Sequence, residues 1–316
     1  MRDCLKLLCL LFFVFNGLLS NADSDSLFIK KFKNELIVST FVSYKLSSLD
    51  YTSSDEVSRV LPHTYYPNSS TGFGLGLAWN WLSVGATIYN FKPEERYGKT
   101  SSFDFQTHWF FSKIQLSISL QDYKGFYTKD ETFDDIIILR PDLRIKQYYA
   151  FGQYLFNHKK FSYMSAFSYD QQQLRSAGSL KVGLGAYYSM VSADSTLIIN
   201  STEEGREFYE DFQIGPNVGY AHNFIFFKRY FFTASLTAGV GFSVKNNDNK
   251  LKVFPAFFPR FALGYNGNNW TIGVSAQVSR SSFARLKEVD MSINSGIFQF
   301  TFAYRFPFDI KKMLFK

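Results

Sequence analysis

Apolar and polar residues alternate along most of this chain with a period of two, and Thr71–Asn90 shows the pattern in complete form. Phe73, Leu75, Leu77 and Trp79 alternate with Gly72, Gly74, Gly76 and Ala78. Beyond a tight turn at Asn80–Leu82, Val84, Ala86 and Ile88 alternate with Ser83, Gly85 and Thr87. Side chains on a β-strand point to opposite faces in turn, so the stretch predicts a hairpin with one apolar face. The other face is glycine and serine where a soluble sheet would carry lysine and glutamate. Tryptophans beside the turn sit where a membrane barrel places its aromatic girdle.

The same pattern predicts further strands over Leu36–Leu46, Ser101–Phe111, Ile114–Tyr127, Leu143–Phe156, Phe161–Tyr169, Leu180–Val191, Ile214–Ile225, Tyr230–Val244, Val253–Tyr265, Trp270–Val278 and Gly296–Phe306. Ile114–Tyr127 is the clearest, with Ile114, Leu116, Ile118 and Leu120 set against Gln115, Ser117, Ser119 and Gln121. On this reading Ile118→Arg is costly and Ser117→Arg mild. Short turns at Asn80–Leu82, Ser112–Lys113 and Asn266–Asn269 alternate with long polar connections at Ser47–Ser70, Thr128–Asp142, Asp194–Asp211 and Arg280–Asp290. Strands of about ten residues joined in this rhythm are the signature of a transmembrane antiparallel β-barrel, with short turns on the periplasmic side. The strand stretches number thirteen, and a bacterial single-chain barrel has an even number with both termini on one side. We therefore expect an all-β barrel of about 12 strands, with 14 as the alternative. One stretch would merge into a connection, or Thr196–Ile199 would add a strand. The aromatic strand Gly296–Phe306 is expected to close the barrel against Leu36–Leu46.

Composition supports a membrane setting. Phe and Tyr number 37 and 20, aromatic residues make up 19% of 316, and mean hydropathy is only -0.12. That balance suits alternating strands with interfacial belts, and no stretch after Ala22 is long and apolar enough for a membrane helix. Met1–Ala22 reads as a signal peptide: Arg2 and Lys6 form a positive start, Leu7–Phe15 an apolar core, and Ser20-Asn21-Ala22 a small-residue cleavage site. The expected organisation is a cleaved signal over 1–22, a polar leader over 23–33, a barrel over 34–306 and a C-terminal extension over 307–316. The only cysteines, Cys4 and Cys9, leave with the signal, which removes thiol and disulfide chemistry from the mature chain. A net charge of +7 is spread through turns and strand ends without a basic stripe, so nucleic acid is not an expected partner.

Candidate chemistry is sparse. His63, His108, His158 and His222 have no ligand spacing, and no hydrolase, metalloprotease or phosphate-loop motif is present. No metal, cofactor or catalytic residue is therefore assigned. Asp104 and His108 share one strand face but lie about 13 Å apart at strand rise, too far for a hydrogen bond. The alternation places Asp104, Gln106, His108, Lys181, Arg260 and Arg305 in the lumen, with Lys146 as a further inward charge. Their basic excess fits an anion-favouring pore or a filled interior held by ion pairs.

Several stretches carry a family resemblance. They are Tyr66-Pro67-Asn68 before the glycine-rich hairpin, Tyr97-Gly98-Lys99-Thr100 with Phe103-Asp104, Asp122–Tyr127 (DYKGFY), Arg140-Pro141-Asp142-Leu143, Lys159–Tyr163, Ser176–Ser179 and Leu263–Gly267. Together they resemble the uncharacterised bacterial family of domain of unknown function 4421 over nearly the whole mature chain. The resemblance implies an exported outer-membrane barrel and no activity. The expected partners are outer-membrane lipids, the barrel-assembly machinery, and a small solute or surface ligand. The leading expectation is a non-enzymatic passive pore or structural membrane component. The alternatives are a binding or adhesion protein using the long loops and a barrel-embedded lipid or peptide hydrolase.

Overall fold

The computed structural model describes residues 24–32, 34–53, 64–68, 71–80, 82–89, 94–111, 113–129, 136–194, 208–245, 253–285 and 289–308. Met1–Ala22, Thr196–Ile199, residues 309–316 and much of the long connections lie outside the described residues. Twelve long strands form one antiparallel meander: β1 (Glu35–Ser53), β2 (Thr71–Trp79), β3 (Leu82–Tyr89), β4 (Ser101–Phe111), β5 (Ile114–Lys129), β6 (Ile137–Leu155), β7 (Ala177–Ser192), β8 (Phe208–Phe226), β9 (Tyr230–Lys245), β10 (Val253–Asn266), β11 (Trp270–Arg285) and β12 (Val289–Pro307). Each pairs with its sequence neighbours. β12 closes onto β1 with Gly296 opposite Leu46 and Phe306 opposite Leu36.

The outward face explains why a closed barrel forms in lipid. Val42, Leu75, Leu184, Leu236, Leu263 and Phe300 are each roughly half exposed, from 48% at Val42 to 59% at Leu184. A continuous apolar belt of this kind on a water-soluble protein would be an aggregation surface, whereas hydrocarbon satisfies it. Closure then leaves no strand edge with unpaired backbone groups in lipid. Ile118 lies on this belt, alternating with buried Ser117 and Ser119. Ile118→Arg is expected to destabilise the folded barrel by roughly 2–4 kcal/mol if it sits near the bilayer centre, read by denaturant titration in lipid against Ile118→Leu. Equal midpoints for the two variants would reject the face assignment.

Strand lengths depart from the expected ten or so residues. β1, β6, β8 and β12 each run to 19 residues, about 60 Å at strand rise, where roughly 9–11 residues cross a bilayer. The excess lies at the end carrying the long connections, the loop end. Part of Ser47–Ser70, Thr128–Asp142, Asp194–Asp211 and Arg280–Asp290 is therefore strand, not loop. Polar composition conceals it, because strand outside the bilayer needs no lipid face. β2 and β3 stop short, and Thr64–Tyr66 bridges the resulting notch by pairing with both β1 and β5.

Phe161–Tyr169 is not a strand. It belongs to the connection between β6 and β7, which enters the barrel mouth at the turn end, the end that also holds Ile29–Lys31 and Phe308. Within it, α1 (Met164–Phe167) forms one helical turn, and Gln171–Gln173 pairs with Ile29–Lys31 of the leader. Phe161, Ser162, Tyr163, Met164, Ser165 and Ala166 are all buried irrespective of parity. A lipid-facing strand would bury one set only. Removing this stretch leaves twelve strands, whose connections alternate between the turn end and the loop end, with the β6–β7 connection the long exception at the turn end.

Two glycines shape the wall by close approach. A Cβ on Gly74 would stand 2.0 Å from Cε2 of Phe41, whose ring lies across β2. Gly74 and Gly76 are thus the floor on which a neighbouring strand's aromatic ring rests. Gly125, at φ 91, sits where a Cβ would be 2.2 Å from the Lys99 carbonyl oxygen, and the β5–β6 register shifts between Lys124 and Phe126. An extra residue of this kind re-aims side chains, so Tyr123 and Phe126 both face inward.

Candidate functional site: the charged lumen

The lumen has three layers. At the loop end, Leu49, Tyr123, Phe126, Leu143, Ile145, Val191, Ala193, Tyr209, Met291 and Ile293 pack into one buried apolar cluster. At the turn end, the β6–β7 connection fills the mouth: Ala166 and Tyr169 pack with Ile37, Ala78, Phe231, Ala262 and Ala303 of the wall. Between them lies a polar layer, because inward positions of the strands there are Ser, Thr, Gln, Asn and a few charges.

The six residues expected in the lumen are all on inward-facing positions, but they do not form one group. Asp104 pairs with Lys45 of β1: Nζ lies 2.9 Å from Oδ2 and 3.1 Å from Oδ1. Tyr123 Oη donates to Asp104 Oδ1 at 2.7 Å and also contacts Lys45 Nζ. Both charged side chains are only 1% exposed. Lys45 escaped the sequence reading although it shares the inward parity of Phe41 and Ser43 on β1, which was the available signal. Lys146, expected inward, is on the outer face: it alternates with buried Ile145 and stands opposite Asp122, itself paired with Arg144.

Arg305 closes the turn end. Its Nη2 donates to Thr271 Oγ1 at 2.5 Å and to Asn266 Oδ1 at 3.3 Å, and its Nε donates to the Tyr169 carbonyl at 3.3 Å. The guanidinium carbon is 4.0 Å from the centre of the Phe32 ring, so one arginine ties leader, connection and wall together. Asn223 anchors the same connection from β8, with Nδ2 donating to the Ser162 carbonyl at 2.7 Å and its Oδ1 accepting from Thr233. Serines at 162, 165 and 168 supply the local bonds: Ser165 N–H donates to Ser162 Oγ, and Ser168 Oγ donates to the Met164 carbonyl. Their spacing of three is a helical signal inside a stretch whose aromatics alternate like a strand.

Asp170 ends the connection, buried and accepting from Ser168 Oγ at 3.1 Å. Burial pushes its carboxyl up to about 7, with Ser168 and Arg305 acting against it. An unfolded aspartate titrates near ~4. Between these values the folded protein holds one more proton than the unfolded chain, so stability from this group falls as pH rises through that window. We expect the unfolding midpoint of the wild type to drop from pH 5 to pH 8 by more than that of Asp170→Asn. Parallel pH profiles for the two proteins would contradict it.

The remaining residues meet in the middle layer. Two adjoining cavities, of about 50 and 90 Å³, share Gln106, His108 and Arg260 in their walls, and Lys181 lines the smaller. Lys181 Nζ donates to Ser235 Oγ and Thr237 Oγ1, both at 2.9 Å. Arg260 lies with its guanidinium carbon 4.4 Å from the Phe167 ring centre and 5.6 Å from that of Tyr163. Burial works to raise the Tyr163 phenol, but Arg260 and Lys181 together outweigh it and leave the phenol below its ordinary value. His108 Nδ1 is 2.8 Å from Ser117 Oγ, which also accepts from Gln115 Nε2. This is a histidine–serine contact of the kind nucleophilic catalysis uses. The two cavities beside it, about 50 and 90 Å³, together hold on the order of ten waters at ~10–15 Å³ each, too little for a lipid ester or peptide. Ser117→Arg, mild for a water-filled pore, meets this packed wall instead, and overpacking adds a cost of about 1–3 kcal/mol. Among the described residues no cluster of His, Cys, Asp or Glu could hold a metal. His158 lies in the turn-end connection and His222 against Tyr220, while His63 lies outside the described residues.

A closed twelve-strand antiparallel barrel with an apolar outer belt and a polar, charged lumen defines an outer-membrane-type β-barrel. The chain belongs to the family described as Domain of unknown function (DUF4421), whose model matches residues 23–306. No curated protein matches the sequence. Among solved structures, it is similar to the outer membrane protease OmpT from Escherichia coli, at 8% identity over 88% of this chain and 98% of that one, with TM-score 0.42. It is also similar to the translocator domain of autotransporter NalP from Neisseria meningitidis, at 12% identity over 96% of each chain, with TM-score 0.37. A Pseudomonas aeruginosa FadL homologue shares 8% identity over 87% of this chain and 91% of that one, with TM-score 0.30.

Proposed function

We propose that this protein is exported through cleavage of Met1–Ala22 and serves in the outer membrane as a closed, non-enzymatic structural barrel, not as a constitutive diffusion pore. One observation carries the reading: both ends of the lumen are filled, by the apolar cluster around Leu143 and Val191 and by the connection containing Tyr163–Asp170. A side chain lining an aqueous channel keeps much of its surface in water; Lys45, Asp104 and Lys181 are buried almost completely. The tight space beside His108 and Ser117 supports a non-enzymatic role. Membrane lipids are the partners of the outer belt, and the assembly machinery would engage the aromatic strand β12.

Planar-bilayer recording of the purified, heat-modifiable barrel tests this. Absence of steady conductance at moderate voltage is the expected result. A stable ohmic conductance from the wild-type protein would instead support the passive-pore reading and overturn the closed one.

A further inference from the structure

We propose that the middle of the lumen is a binding site for one small inorganic anion, held between Lys181 of β7 and Arg260 of β10. Both cations lie near one ring: Lys181 Nζ is 5.1 Å from the centre of Tyr163 and the Arg260 guanidinium carbon 5.6 Å. Among the described residues lining the smaller cavity there is no Asp or Glu. Of the buried lumenal carboxylates, Asp104 is already held by Lys45 and Tyr123, and Asp211 accepts from Gln213 Nε2 and Ser243 Oγ. Among the described residues the hydrogen-bond partners of Lys181 Nζ are two hydroxyls, Ser235 and Thr237.

A buried donor is also left over: among the described residues Arg260 Nε, in the cavity wall, has no hydrogen-bond partner. Buried charges are ordinarily paired, and buried donors bonded, because leaving either alone forfeits its hydration. One anion in the cavity answers both deficits: its charge offsets Lys181 and Arg260, and its lone pairs accept from the guanidinium. A volume of about 50 Å³ corresponds to a few water-sized positions, which suits a halide, nitrate or phosphate. The lowered phenol of Tyr163 is what a locally positive chamber produces. Four glutamines and two serines line the cavity beside the aromatic rings of Tyr149, Phe151 and Phe258, so the anion would be gripped by hydrogen bonds as well as charge.

The site is a property of the lumen wall and does not depend on the closed-barrel reading. Conductance decides that reading; anion occupancy decides this one. The full mature barrel, crystallised from detergent and soaked in sodium bromide, should show an anomalous peak between Lys181 Nζ and the Arg260 guanidinium. In solution, bromide or inorganic phosphate should raise the thermal unfolding midpoint by a few degrees over gluconate at equal ionic strength, since a ligand bound only to the folded state stabilises it. Arg260→Gln and Lys181→Met should each lose both the peak and the midpoint rise while remaining heat-modifiable. Should one variant fail to fold, the wild-type crystal and the other variant still decide the matter. A wild-type map with water alone at this position, or a midpoint rise that persists undiminished in the folded variants, would overturn the proposal.

Discussion

A chain ending at Glu288, and so lacking β12, should yield no heat-modifiable barrel and should accumulate as aggregated or degraded protein. β12 pairs with β1 from Val289 opposite Ser53 to Pro307 opposite Glu35, and with β11 from Tyr304 opposite Trp270 to Asp290 opposite Arg285. Its loss turns β1 and β11 into open edges. In hydrocarbon each unsatisfied backbone group costs several kcal/mol, and no repacking within the remaining eleven strands replaces those partners. It also removes Arg305, and with it the bonds that hold the turn-end connection. Removing only residues 307–316 should be much milder. That deletion spares the ladder up to Phe306; among the described residues it forfeits the pairing of Pro307 with Glu35, the backbone bond from the Phe308 N–H to the Asn34 carbonyl, and the edge contact of Phe308 with Trp79. Membrane fractionation combined with gel mobility before and after heating reads both variants. Normal insertion of the longer deletion would show that closure does not require this strand.

Asp104→Ala should destabilise the folded barrel by about 3–5 kcal/mol, because it leaves the Lys45 ammonium buried without its counter-ion. The same pair in a water-filled pore would contribute only about 0–1 kcal/mol, so the measurement also reports whether the lumen is filled. Replacing both partners, as in Lys45→Met with Asp104→Leu, should recover most of the loss, since well-packed apolar groups substitute for a buried pair without stranding a charge. Tyr123 is left unaltered in that design so that its contacts on the loop-end cluster persist. Denaturant unfolding in lipid gives the values for the three proteins. A loss below 1 kcal/mol for the single variant would mean that water reaches Lys45, and the filled-lumen account would fail with it.

The site was only partly legible. Inward parity alone located Asp104, His108, Lys181 and Arg260, since a strand side chain's face follows from counting by two. Which of them meet could not be read, because Lys45 and Asp104 are 59 residues apart and Lys181 and Ser235 are 54 apart. Lys146 lies outward because β6 reverses the lipid pattern there: its outer face carries Arg144 and Lys146 while its inner face carries apolar Leu143 and Ile145, beyond the stretch where hydrocarbon enforces an apolar outside. Gly125 shifts the register within β5, and no period-two count anticipates a bulge.

What the sequence by itself determined was the medium outside the barrel and the closure. Phe298, Phe300, Phe302, Tyr304 and Phe306 alternate because hydrocarbon meets every second residue, and the structure seats that strand against Leu36–Leu46. These are consequences of local side-chain geometry repeated along each strand. Tertiary structure alone decided what the inner face meets. Phe161–Tyr169 carries a strand-like run of aromatics, yet it folds inward, because Asn223, Arg305 and the serines of its own chain offer it bonds inside the mouth. Alternation reports which side of a strand a residue occupies; whether water, a counter-charge or another segment fills that side depends on partners far away in sequence.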